Sequence, residues 1–213
     1  MNIGIIGAGN IGGNLGKVWA AKGHRVTFGV RDPQSEKIKN LLSAIGANAS
    51  ADIVVSAAES ADIVVLATPW QAAQDAIKSA GDLSGKILID CTNPLEANLS
   101  GLTVGLNNSA AEEIAKWASG AKVVKAFNTT GAGNILTPNY GSEAADMFIC
   151  GDDEDAKNVV SKLVVDAGFD VIDSGPLENA RLLEPLAMLW IHLAIKEGLS
   201  SDIAFKLMQR ESA

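Results

Sequence analysis

The chain has 213 residues, of which 47% are apolar, 25 are acidic and 17 are basic, a net charge of −8 with histidine neutral. That length fits one large domain with a sizeable core. An acidic chain without clustered cations is a poor partner for a polyanionic duplex, and no apolar run reaches the ~18 residues of a membrane span. The sequence opens directly on a strand-like segment with no signal-peptide character, so a cytoplasmic protein is expected.

In chain order, the apolar runs are "NIGIIG" (2–7), "RVTFGV" (25–30), "DIVVLAT" (62–68), "KILIDCT" (86–92) and "KVVKAF" (122–127). All are short, rich in β-branched residues and nearly continuous rather than alternating, as strands covered on both faces are. Helix-like stretches at 10–22, 35–44, 70–80 and 109–118 lie between them. A brief third strand is expected near 47–50 with a helix after it, although "DIVVSA" alone would also pass for a strand. "DMFICG" (146–151) and "FDVIDSG" (169–175) read as two further strands around a helix at 154–167. From Asn179 onward the chain reads as helical, with Pro185 near a helix start. Strand–helix alternation predicts an α/β fold: a doubly wound, Rossmann-type, mostly parallel sheet with additional C-terminal strands and a short helical C-terminus. We expect one unit over 1–213, with a sheet–helix core to 178 and C-terminal helices from 179 that shape a pocket.

"GAGNIG" (Gly7, Ala8, Gly9, Asn10, Ile11, Gly12) follows a strand and opens a helix, the context in which G-x-G-x-x-G signals dinucleotide binding. The first glycine permits the turn, the second lets backbone approach a pyrophosphate, and the third allows close helix–strand packing. Asp32, twenty residues beyond Gly12, has the spacing of a ribose-binding acid. Arg31, however, is among the first residues past the strand, Pro33 bends the chain after it, and Ser35 and Lys37 add a hydroxyl and a second cation. That grouping favours a 2′-phosphate, and hence NADP, over a free hydroxyl.

At the ends of the next strands stand "ATPW" (67–70), "CTNPL" (91–95) and "KAFNTTGAG" (125–133). Thr68 and Pro69 would lie beside pyrophosphate or nicotinamide ribose, and Trp70 is either a lid or a packing residue. Asn93, Asn128, Thr129 and Thr130 offer neutral hydrogen-bonding groups. Only His24 and His192 occur, neither in a metal-ligand pattern, so no metal is expected. His24 reads as exposed at the entrance to the second strand. Cys91 and Cys150 each close an apolar run and read as buried thiols. No strong general acid is evident, which suits hydride transfer between two rings, where positioning matters most.

Taken in order, "GAGNIG", the Arg31 segment, "ATPW", "VVKAFNT", "ICGDD" and "GPLENARLLEPL" resemble the NADPH-dependent coenzyme F420 reductases over nearly the whole chain. "NPL" and "KAFNT" are also similar to the cytoplasmic NADPH-binding domain of the six-transmembrane metalloreductases. The resemblance implies an NADP site at Ala8 to Ile11, Val30 with Arg31, Lys37, Thr68 to Ala72, and near Ala132. It implies a deazaflavin over the nicotinamide, bounded by Asn128 and by residues 184–191, with Pro185, Ala187, Met188 and Ile191 as the acceptor-binding candidates. Archaeal members place a histidine, a serine and a threonine there; this chain has Asn128, Pro185 and Ala187, and Met188 and Trp190 would accommodate a flat ring. The expectation is therefore an oxidoreductase passing hydride between NADP(H) and coenzyme F420 or a flavin-like acceptor. Competing readings are a reductase of an imine, ketone or ferric chelate, and a non-catalytic NADPH-sensing module. The apolar positions Leu186, Leu189, Trp190 and Leu193 need cover, which either a second copy in a homodimer or packing back onto the chain's own sheet would supply.

Overall fold

The structure, a computed structural model, describes residues 1–210. The apolar runs form β1 (Asn2–Ile6), β2 (Arg25–Gly29), β3 (Ala49–Asp52), β4 (Ile63–Leu66), β5 (Ile87–Asp90) and β6 (Lys122–Lys125). A small hairpin, β7 (Asn139–Tyr140) and β8 (Glu143–Ala144), precedes β9 (Asp146–Gly151) and β10 (Asp170–Asp173). The helices are α1 (Asn10–Ala21), α2 (Glu36–Ile45), α3 (Val54–Glu59), α4 (Trp70–Ala80), α5 (Ala110–Trp117), α6 (Glu154–Asp166) and α7 (Ala180–Ile191).

The main sheet has the order β10-β9-β6-β5-β4-β1-β2-β3. β1 to β6 are mutually parallel; β9 and β10 are parallel to each other and join antiparallel to β6 through Val124↔Gly151 and Lys125↔Cys150. Successive strand residues serve opposite faces, so each run fills two cores. Ile5, Val65, Ile89 and Val124 pack with Leu15 and Trp19 of α1 and Leu163 of α6. Ile6, Val64, Leu88 and Val123 pack with α4, α5 and Leu183 of α7. The Rossmann-type doubly wound fold read from the sequence is thus the fold observed. Among the described residues, no helix is long and apolar enough to cross a membrane.

Local chemistry sets the helix boundaries. Asp153 caps α6 by accepting from the Ala156 N–H at 2.8 Å, with Glu154 and Asp155 in the first turn. α3, which contains valines that suit a strand, is a helix because two sheet residues lack side chains beneath it. A Cβ at Gly4 would meet the Ala57 carbonyl oxygen at 2.5 Å, and one at Gly29 would meet the Ala57 Cβ at 3.2 Å.

Three expectations are corrected. α7 begins at Ala180, so Pro185 lies in its second turn rather than near its start, where it removes the N–H that would bond the Arg181 carbonyl. The C-terminal stretch is not helical throughout: His192–Lys196 widen into a π turn, and residues 197–210 contain no helix or strand. That tail is tied down by backbone: the Trp190 indole and the Asn134 amide both donate to the Ile203 carbonyl, and Asp146 N–H donates to the Phe205 carbonyl. His24 is buried rather than exposed, with Nε2 2.9 Å from Asp166 and Nδ1 3.3 Å from the Met1 amine. Both cysteines are buried free thiols, as expected.

Trp19 joins α1 to α6. Its ring is fully buried, meets Phe127 edge-on at 5.6 Å, and its N–H bonds the Leu163 carbonyl at 2.9 Å. Trp19→Ala is expected to lower stability by about 3–5 kcal/mol, measured as a shift in the urea unfolding midpoint.

Candidate functional site

Parallel register brings the candidate residues to one edge of the sheet. Gly29, Ile6, Leu66, Asp90 and Lys125 are successive Cα partners across β2, β1, β4, β5 and β6. The next residues, Val30, Gly7, Ala67, Cys91 and Ala126, therefore form the rim, and the loops beyond carry Arg31, Thr68, Asn93 and Asn128. The chain runs to one side of β1 through β2 and β3 and to the other through β4, which makes β1/β4 the switch point where open α/β sheets place ligands.

At that point Gly7 has φ +107, and a Cβ there would meet the Ala67 carbonyl oxygen at 2.6 Å. A Cβ at Gly12 would meet the Gly7 carbonyl oxygen at 2.1 Å, so α1 can approach only with glycine there. Gly9 differs: nothing lies within 4 Å of an added Cβ. It caps α1 with no side chain to satisfy the first-turn N–H groups. The turn is packed from behind and open in front. Asn14 in α1 donates to the Ala132 carbonyl at 2.8 Å, which brings the Ala132 loop beside it.

Beyond β2, Asp32 is a turn residue. Its carboxylate accepts from the Gln34 N–H at 3.0 Å and its carbonyl from the Ser35 hydroxyl at 2.9 Å. Glu36 pairs with Lys39 at 3.2 Å. Both local acids are thus engaged elsewhere, and Arg31 and Lys37 are exposed without an ion pair among the described residues.

On the other side of β1, a cavity of about 350 Å³ opens between α4 and the loop after β5, lined by Thr68, Pro69, Gln71, Thr92, Asn93 and Glu96 among others. The Trp70 ring stacks on Trp117 of α5 at 5.2 Å and also lines the cavity, and Ala72 is exposed on α4. Asn93 and Asn128 hold each other: the Asn93 amide donates to the Asn128 carbonyl at 2.9 Å, and the Asn128 amide to Asn93 Oδ1 at 3.0 Å and the Leu183 carbonyl at 3.1 Å. Thr68 Oγ1, Thr92 Oγ1 and Asn128 Oδ1 are buried without a partner. Such orphaned polar atoms are costly unless a ligand or water meets them. Phe127, just before Asn128, has φ +62, a strain of about 1–3 kcal/mol offset by burial of its ring between Trp19 and Phe169. Cys91 lines the cavity, but burial raises its pKa far above the usual thiol range, so it is a neutral wall. On α7, Ala187 is buried, Met188 and Ile191 are half-buried, and Pro185 is exposed. The Trp190 ring lies against Gly131, whose added Cβ would meet it at 2.5 Å.

Sequence reasoning missed the charged floor of this region. Lys125 is fully buried, with Nζ 2.8 Å from Asp90 Oδ2, 2.8 Å from Glu184 Oε1 and 2.6 Å from the Thr92 carbonyl. Glu184 accepts in turn from the Ala110 and Ala111 N–H groups at the start of α5, at 3.0 and 3.2 Å. Burial works to lower the Lys125 pKa, but Asp90 and Glu184 outweigh it and hold the ammonium above its ordinary value. Burial pushes Glu184 up against the pull of Lys125. The available signal was a lysine and a glutamate inside otherwise apolar runs, "VVKAF" and "LLEPL".

The family model described as "NADP oxidoreductase coenzyme F420-dependent" matches residues 2–94. The F420-dependent NADP reductase of Methanothermobacter marburgensis is 32% identical over 211 residues, spanning 92% of this chain and 93% of that protein. The chain belongs to the F420-dependent NADP reductase family. A crystal structure of an Arthrobacter sp. FB24 protein assigned as an F420-dependent NADP-reductase superposes with a TM-score of 0.89 at 31% identity, covering 98% of this chain and all of that one. Metalloreductase STEAP3 of Rattus norvegicus is 30% identical over 190 residues, which are 88% of this chain and 37% of that protein.

Lys125→Met would leave two carboxylates facing each other without their cation. It is expected to cost about 3–5 kcal/mol of stability, read from chemical denaturation at neutral pH.

Proposed function

We propose that the chain binds NADPH along the β2–β1–β4 rim and transfers hydride between its nicotinamide and a deazaflavin, coenzyme F420. The observation that carries this reading is the open glycine turn flanked by two cations that no local acid engages. The first-turn N–H groups of α1, from Gly9 to Gly12, would hold the pyrophosphate, aided by the helix dipole. Arg31, with Lys37, would hold the 2′-phosphate, and Val30 would pack beside the adenosine. The Ser35 hydroxyl proton is spent on Asp32 in this arrangement, so Ser35 would serve a phosphate only by turning away from it. Thr68 and Pro69, the turn into α4, Asn93 and the Ala132 loop would border the ribose and nicotinamide. NADPH, when bound, supplies the hydride.

The acceptor ring would lie between Asn128 and the 184–191 segment. Asn128 is held by two partners and keeps Oδ1 free to accept from a ring N–H or a carboxamide. Pro185, Ala187, Met188 and Ile191 give that wall no side-chain donor. This favours a second reading of the acceptor as another flat ring such as a flavin. We further assign the whole chain to one NADP-binding unit and a cytoplasmic homodimer. Leu182 and Leu189 are 66% and 46% exposed on α7 and would be covered by the second copy, a mass that light scattering reads directly.

Losing a charge-assisted contact to phosphate should weaken NADPH binding by Arg31→Ala about 10- to 100-fold while leaving NADH unchanged, as measured by nicotinamide fluorescence titration. Equal affinity of the wild type for NADH and NADPH would overturn the cofactor assignment. Anaerobic NADPH oxidation against F420, FMN, FAD, a ferric chelate and a cyclic imine then reads the acceptor. Turnover with F420 is expected, turnover with flavins alone moves the assignment to the second reading, and turnover with none removes hydride transfer.

A further inference from the structure

We propose that Lys125 is a positioning residue for the acceptor pocket: touching no ligand, it fixes the floor, the β5 loop and the α7 wall in one arrangement. This rests on the hydride-transfer reading above and adds to it the group that sets the pocket's geometry. The three N–H bonds of the ammonium go to three different walls. Asp90 ends β5, the Thr92 carbonyl belongs to the loop that lines the cavity, and Glu184 belongs to α7. Three of the pocket's residues, Thr92, Asn93 and Asn128, chain back to the partners of that nitrogen. Asp90 Oδ1 accepts from the Thr92 N–H at 2.8 Å, Asn93 follows Thr92 and pairs with Asn128, and the Leu183 carbonyl that holds Asn128 precedes Glu184.

Core packing alone does not account for the choice. A buried ion triad is often no more stable than an apolar replacement of the same volume, and fixing one arrangement is a use such groups have in some proteins. The helix it secures needs fixing. α7 lacks one ladder bond at Pro185, one residue after Glu184, and continues into a π turn and an irregular tail. With a proline breaking its hydrogen-bond ladder, the inner turn of α7 is held to the sheet through Glu184 and the Asn128–Leu183 bond.

The test replaces the charges together, so that no unpaired ion is buried: Lys125→Met with Asp90→Asn and Glu184→Gln. After Asp90→Asn the amide oxygen keeps the bond from the Thr92 N–H, and after Glu184→Gln the single amide oxygen keeps one of the two α5 N–H bonds, the other being lost together with the ammonium links. Hydrogen exchange followed by mass spectrometry reads the pocket walls without turnover. Residues 91–95 and 181–189 are expected to exchange about tenfold faster, with the glycine turn unchanged. NADPH affinity should stay within about twofold, while kcat with F420 falls roughly 100-fold, the scale of a 1 Å misplacement. Unchanged exchange in both segments, or NADPH affinity lost as far as kcat/KM, would overturn the positioning role. Should the triple variant fail to fold, Glu184→Gln alone, which leaves a balanced Lys125–Asp90 pair, must still loosen residues 181–189, and full protection there overturns the role equally. A wild type inactive with F420 would sink the acceptor assignment, while the exchange measurement still judges Lys125.

Discussion

An ammonium removed from water must have all three of its hydrogens met by acceptors that converge on one point, or the fold forfeits several kcal/mol. Lys125 meets that condition with partners from β5, its loop and α7, and its own strand β6 supplies the nitrogen. Two carboxylates against one cation leave a negative charge over, and the start of α5 takes it up: Glu184 receives the Ala110 and Ala111 N–H groups where the helix dipole is positive. Four elements on one face of the sheet thus share a single electrostatic solution. The surrounding apolar side chains are interchangeable in kind; these partners are not. The Arg181 guanidinium, bonded to Glu112, repeats the α5–α7 tie nearer the surface and holds that carboxyl below its usual range.

Charge is distributed against the overall balance. The chain carries −8, yet Arg31 and Lys37 stand at the β2 end of the rim with their neighbouring acids drawn into turns and helix pairs. A local potential follows the nearest charges and the free helix N-terminus rather than the sum over the molecule. On the other side of β1 the cavity carries Glu96 with neutral amides and hydroxyls. The two halves of the rim therefore differ in what they attract, with free cations around the α1 end and none lining the cavity beyond β4.

The strands were legible because a two-sided parallel sheet needs nearly continuous apolar runs, and these contrast sharply with amphipathic helices. The glycine turn was legible because its steric demands fall on Gly7 and Gly12, positions that only glycine meets, with the open Gly9 between them. α3 was ambiguous, since Val54 and Val55 favour a strand locally and become helical only because Gly4 and Gly29 make room beneath them. The β7–β8 hairpin has two residues per strand, too few to show a period. The tail follows no period at all, being held by backbone carbonyls rather than by a buried face. The Lys125 network was hidden for another reason: its partners lie 35 and 59 residues away, and no local pattern reports a contact at that separation. Asp32 was resolved the other way. Its spacing from the glycines suits a ribose, but its carboxylate is needed by the turn at Gln34.

Among the described residues, neither cysteine and neither histidine is placed in the site for acid–base work. Cys91 is held neutral by burial, and Cys150, pushed up to about 12, lies on the Leu177 carbonyl. His192 is exposed beside Glu197, and His24 is committed to Asp166 far along the chain. The polar surface that remains is amide and hydroxyl, and part of it is orphaned. Such groups contribute little by proton transfer and much by orientation, because each loses a full hydrogen bond unless the ring before it sits correctly. Their value depends on not moving. Phe127 accepts a left-handed backbone to present Asn128, its ring is clamped between two aromatics, and the Asn128 amide is tied to Asn93 after β5 and to the Leu183 carbonyl of α7. Neutral amides and hydroxyls over a buried ion triad are suited to orienting a flat ring, and much less to moving protons.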